Sequence, residues 1–117
     1  MKSIEENIIA SKSKEFAVRC VKLRKFLCEE KKEYDISKQL LRSGMSIGAN
    51  VKEGFRGQTR PDFHAKMNIA LKEASESEYW IELLRDTDYI TDIQAKSLLD
   101  DCVELIKILT SIVKSSA

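Results

Sequence analysis

The chain has 117 residues, 43% of them hydrophobic and 33% charged, and its 20 Lys and Arg nearly cancel its 19 Asp and Glu. That length gives room for one hydrophobic core, and the apolar fraction excludes a wholly disordered chain. One Pro and four Gly are too few for a turn-rich β architecture. No apolar run approaches the ~20 residues of a membrane helix, and the Met1–Glu6 start lacks a signal h-region, so a cytoplasmic protein without membrane contact is expected.

Apolar residues recur at helical spacing along most of the chain. A first stripe runs Phe16, Cys20, Leu23 and Leu27, extended upstream by Ile4 and Ile8. The polar stretch at residues 31–35 interrupts it, and a second stripe follows: Ile36, Leu40, Gly44, Ile47, Val51 and Phe55. The clearest break is at 57–62, where Thr59 or Arg60 can cap a helix with Pro61 in its first turn. The third stripe is Phe63, Met67, Ala70, Ala74, Ser77, Ile81 and Leu84. Thr91 and Gln94 then have the spacing of a capping box, ahead of Ala95, Leu98, Cys102, Ile106, Leu109 and Val113. Helices at roughly 4–31, 36–56, 60–86 and 92–115, joined by short loops, predict an all-α, antiparallel up-down-up-down four-helix bundle filling residues 1–117 as one domain.

The residue inventory narrows the chemistry. Cys20, Cys28 and Cys102 contain no C-x-x-C pair and are odd in number, so buried free thiols are expected. Di-iron bundles need Glu-x-x-His motifs, but Pro61 stands three residues before the single His64. An Arg followed by four to six residues and a His, as in small helical ribonucleases, is missed by both Arg56 and Arg60. Glu73 and Glu76 have the E-x-x-E spacing of a Mg²⁺ site, without a convincing second acidic motif facing them. A protein that is not an enzyme and uses neither metal nor cofactor is expected.

The second helix carries the unusual content. Gly44 and Gly48, four apart beside its apolar stripe, suit close approach of a neighbouring backbone. Gln39, Arg42, Ser46, Asn50 and Glu53 fall on one polar arc, which with Glu78 of the third helix is expected to form a structural hydrogen-bond network. A further arc carries Lys38, Arg42, Lys52 and Arg56; with Lys22 and Lys25 of the basic first helix it is a candidate phosphate-contacting stripe, or equally a solubilising surface. Met45, Ile69, Trp80 and Leu83 lie off the core stripes, and apolar residues on outer faces suggest a homo-oligomer interface.

Ser37-x-Gln39-Leu40-x-Arg42-Ser43-x-x-Ser46-Ile47-x-x-Asn50-x-x-Glu53-Gly54 resembles the signature of the four-helix bundle proteins encoded by 23S rRNA intervening sequences. Phe63, Met67 to Leu71 with Glu76 and Glu78, and Tyr89 to Thr91 extend the likeness. The resemblance implies a homopentamer forming a barrel around an axial channel. It also implies kinship with the accessory variability determinant of diversity-generating retroelements, whose basic barrel binds nucleic acid and a reverse transcriptase. This chain departs from the usual pattern at Val51-Lys52 and Lys72-Glu73.

Two functions of different class follow: a structural module binding copies of itself or another protein, and a nucleic-acid-binding assembly. Residues 1–60 hold 14 Lys and Arg against 8 Asp and Glu, and residues 61–117 hold 6 against 11. That split favours charge-driven recognition of a second copy, one subunit's basic half meeting the next one's acidic half.

Overall fold

Local capping signals start three of the four helices in the structure, a computed structural model in which residues 3–117 are described. Helix α1 (Ile4–Lys31) opens with a capping box: the Glu6 N–H donates to Ser3 Oγ at 3.1 Å and the Ser3 N–H to Glu6 Oε1 at 2.8 Å. It ends at Lys32, whose φ of 53° is left-handed, while the Glu33 N–H closes on the Leu27 carbonyl at 3.0 Å. Helix α3 (Arg60–Asp86) is capped by Thr59, which accepts from the Asp62 N–H, with Pro61 in the first turn. Helix α4 (Asp92–Ser116) opens on the expected Thr91–Gln94 capping box.

Helix α2 (Asp35–Phe55) is different. Tyr34 at its N-cap makes no side-chain cap, and the Glu33 carboxylate takes over. It accepts from the N–H groups of Asp35, Ile36 and Ser37 at 3.0, 2.8 and 2.7 Å. Three donors that a helix start leaves orphaned are thereby satisfied by one buried side chain. The helix consequently begins one residue earlier than the apolar stripe indicates.

The four helices surround one core and no strand occurs among the described residues. Helix α1 packs on α2 and α4, and α3 packs on the same two, while the backbones of the diagonal pairs stay apart. The bundle measures 44 × 20 × 18 Å. Its largest buried side chains include Phe16, Leu27, Leu40, Ile47, Met67, Ile81 and Leu109.

The stripes need correction at their ends. Ile9 is buried while Ile4 and Ile8 are exposed: Ile9 lies seven residues before Phe16, close to two full turns, and Ile8 has already rotated off that line. In α4 the buried register is 98, 102, 105, 109, 112 and 116, alternating steps of four and three. Ile106 and Val113, expected in the core, pack against it from the side. Cys20 and Cys102 are buried, but Cys28 is only half-buried.

Gly44 and Gly48 of α2 also serve different ends. A Cβ on Gly44 would stand 2.4 Å from Cys20 Sγ, so this glycine makes room for a side chain of α1 and not for its backbone. At Gly48 the neighbour is the Ser13 carbonyl oxygen, at an ordinary 3.4 Å from the same position.

Candidate functional site

The polar arc of α2 faces α3, and what it meets there differs from the single expected network. Arg42 donates to Glu73 Oε2 at 2.9 Å and to Glu76 Oε2, on α3. Glu78, expected in the same network, lies elsewhere on α3, half-buried toward Cys102. Ser46 Oγ donates to the Arg42 carbonyl at 2.7 Å, and Asn50 Nδ2 to the Ser46 carbonyl at 2.8 Å. Both therefore bond back into their own helix. Glu53 pairs with Lys66 at 2.9 Å, and Gln39 is exposed. The set is thus three separate devices: the two ion pairs of Arg42, the Glu53–Lys66 pair, and one run of local back-bonds.

The true buried polar link between these helices is smaller. Ser43 Oγ and Ser77 Oγ are 2.8 Å apart, and Ser77 donates onward to the Glu73 carbonyl at 2.9 Å. Ser77 stood in the expected apolar stripe, and only its hydroxyl, facing Ser43 of the opposing helix, signals the pairing. Cys102 adds a second link, its thiol donating to the Ala74 carbonyl at 3.2 Å.

Burial pushes the Cys20 and Cys102 thiols up to about 12. Both are consequently protonated and unreactive near neutral pH. The Glu76 carboxyl is held below its usual range by the indole N–H of Trp80, at 2.9 Å, and then by Arg42. Glu73 and Glu76, the E-x-x-E pair, each turn Oε2 to Arg42, and Glu76 Oε2 also accepts from Trp80. Arg60 and His64 do not converge either. Arg60 donates to the Ser115 carbonyl at 2.6 Å, and His64 Nδ1 lies 2.9 Å from Ser116 Oγ, so both tie down the end of α4.

Some cations of the first half meet acids of the second within one chain. Lys12 pairs with Glu104 at 3.1 Å, Arg19 with Asp101 at 2.6 Å, and Arg42 with Glu73 and Glu76. Lys22, Lys25, Lys38, Lys52 and Arg56 are exposed and enter no ion pair among the described residues. Arg42 of the same stripe differs from them in pairing with Glu73 and Glu76 on α3.

Of the expected interface residues, Met45 and Ile69 are each 43% exposed. Leu83 is half-buried, and Trp80 packs against the core. The freely exposed aromatic is its neighbour Tyr79, whose ring meets the indole edge-on at 5.0 Å. Between α1 and α2 lies an open cavity of about 430 Å³. Its floor is small (Ala10, Ala17, Gly48, Ala49), and Lys14 and Lys52 stand among its walls.

A family model for the 23S rRNA-intervening sequence proteins matches residues 5–111. The chain belongs to that family. The crystal structure of a protein of unknown function, from the S23 ribosomal protein family of Bacteroides thetaiotaomicron, superposes with a TM-score of 0.93 at 55% identity. The alignment covers 95% of this chain and 99% of that one. Comparison with curated proteins gives no match. Of the α2 motif quoted above, the structure places Arg42, Ser43 and Gly54 at the α2–α3 contact. None of the described helices is long and apolar enough to cross a membrane.

Proposed function

We propose that this protein is a non-catalytic structural module that assembles with copies of itself, as a pentamer, through its outer helix faces. The carrying observation is the pair Met45 and Ile69, large apolar side chains left 43% exposed on α2 and α3 although the core is already filled without them. An alternating up-and-down course of the helices belongs to this reading. It is supported by contacts that descend one helix as they climb its neighbour: Lys12 and Arg19 reach Glu104 and Asp101, and Arg42 and Glu53 reach Glu76 and Lys66. The family resemblance supplies the number five. Sedimentation equilibrium tests the reading: a mass of five times 13.4 kDa is expected. A mass of one chain at micromolar concentration would end it.

A second reading, binding of RNA or DNA phosphates, is favoured by the free cations Lys22, Lys25, Lys38, Lys52 and Arg56. It predicts a mobility shift of an rRNA or DNA fragment at low salt that fades as salt rises. Exchange of Lys38, Lys52 and Arg56 for Glu should abolish that shift. An unshifted fragment at low salt would remove this reading.

A further inference from the structure

Once the pairs inside the chain are counted, two unlike surfaces stand out among those left exposed. The first is the groove between α1 and α2. Small residues on its floor let another surface come close, Met45 contributes apolar area, and Lys14 and Lys52 flank it. No carboxylate lines it. The second is the outer ridge of α3, where Ile69, Glu76, Tyr79, Leu83 and Asp86 recur at the i, i+7, i+10, i+14 and i+17 spacing of one helix line. Ile69 and Tyr79 are exposed there, and Glu82 and Asp86 add negative charge beside them. Asp86 meets only the neighbouring Arg85 of its own helix, and Glu82 enters no ion pair among the described residues.

We infer that the α1–α2 groove of one copy is the docking site for the outer α3 ridge of a second copy, Tyr79 and Leu83 entering the groove while Glu82 and Asp86 meet Lys14 and Lys52. The inference rests on the self-assembly reading and names its surfaces. Three observations converge on it. Several small side chains line the groove and large ones stand on the ridge. The surfaces are complementary in charge, a rim of cations against a flank of acids, which sets register and discriminates against other partners. They also lie on different helices, so the contact is heterologous. A heterologous contact repeats head to tail and makes a ring where its rotation closes, the kind of interface an odd-numbered ring requires. A self-complementary patch would stop at a dimer.

Charge reversal on each surface and then on both tests this directly. Lys14→Glu/Lys52→Glu should reduce the sedimentation mass to that of one chain, and so should Glu82→Lys/Asp86→Lys. The chain carrying all four substitutions has reversed complementarity and should assemble again. Ala49→Trp, which fills the groove without altering charge, should also yield single chains. Far-UV circular dichroism identifies any variant that has lost its helices. If the wild type is itself a single chain, the self-assembly reading fails and this inference with it. If the wild type assembles and helical Lys14→Glu/Lys52→Glu and Ala49→Trp variants assemble equally, self-assembly stands and this interface is wrong. A fourfold variant that stays dispersed while helical also overturns the pairing.

Discussion

Trp80 and Arg42 meet on one oxygen atom, Oε2 of Glu76, the indole donating at 2.9 Å from one helical turn away on α3 and the guanidinium reaching over from α2. Both donors favour the ionised carboxylate, which lowers its pKa from the ordinary 4.5. A carboxyl with a depressed folded pKa contributes stability that is present above its unfolded pKa and lost as pH falls through the folded one. The stabilising effect of Glu76 should thus be complete at pH 7 and shrink below pH 4.5. Urea midpoints for the wild type and Glu76→Gln should differ at pH 7 and draw together near pH 3. A constant gap across that range would show that Glu76 acts by packing alone.

This cluster also marks how far the sequence could be read. The helix count, three of four helix starts and most of the buried register follow from periodicity and capping residues, because these depend on neighbours within a few positions. What Arg42 does depends on which of six α3 carboxylates comes within reach, and that is fixed by the relative rotation of two helices. Periodicity leaves that rotation open by tens of degrees. Trp80 was legible as an off-stripe residue, but the half-burial that holds it against the core comes from the same packing angle, and it makes Tyr79 the freer aromatic. The paired charges along α1 and α4 were hidden for a like reason: a composition split cannot say whether opposite charges meet within a chain or between chains.

The glycines of α2 give opposite expectations for one substitution. Gly44→Ala places a methyl 2.4 Å from Cys20 Sγ, and Cys20 is locked in the core with no room to withdraw. Overpacking of that kind costs about 1–3 kcal/mol, against a helix-propensity gain of about 0.5–1 kcal/mol. Net destabilisation is expected. Gly48→Ala meets ordinary contacts of 3.4–3.5 Å and keeps the propensity gain. Its urea midpoint should equal or exceed that of the wild type. A greater loss at position 48 than at 44 would contradict the packing described above.

The three thiols should separate under a thiol-reactive probe at pH 7.5. Cys20 and Cys102 are buried, their thiols pushed up to about 12, and should label only on global unfolding. Cys28 is half-buried and its sulfur accepts from Arg24 Nε at 2.9 Å. It should be the one residue labelled in the native protein, and Cys28→Ser should remove that fast phase. Labelling of two or three thiols before unfolding, read by intact mass, would mean that the α1–α4 side of the core opens locally.

The start of α2 depends on a residue that no capping pattern singles out. Glu33 is 6% exposed, and its carboxylate serves three backbone donors while its own carbonyl accepts from Ser37 Oγ at 3.0 Å. Removing a side-chain cap costs about 0.5–2 kcal/mol, and leaving buried donors unpaired moves the effect toward the upper end. Glu33→Ala should therefore lower stability by about 2 kcal/mol. Glu33→Gln, which keeps one acceptor oxygen, should lose less. Amide exchange offers a local readout: the N–H groups of Asp35, Ile36 and Ser37 should exchange faster in Glu33→Ala, while the first turn of α4, held by Thr91 and Gln94, should be unaffected at equal global stability. Uniform acceleration along the whole chain would instead assign Glu33 a role in packing the α1–α2 turn as a unit.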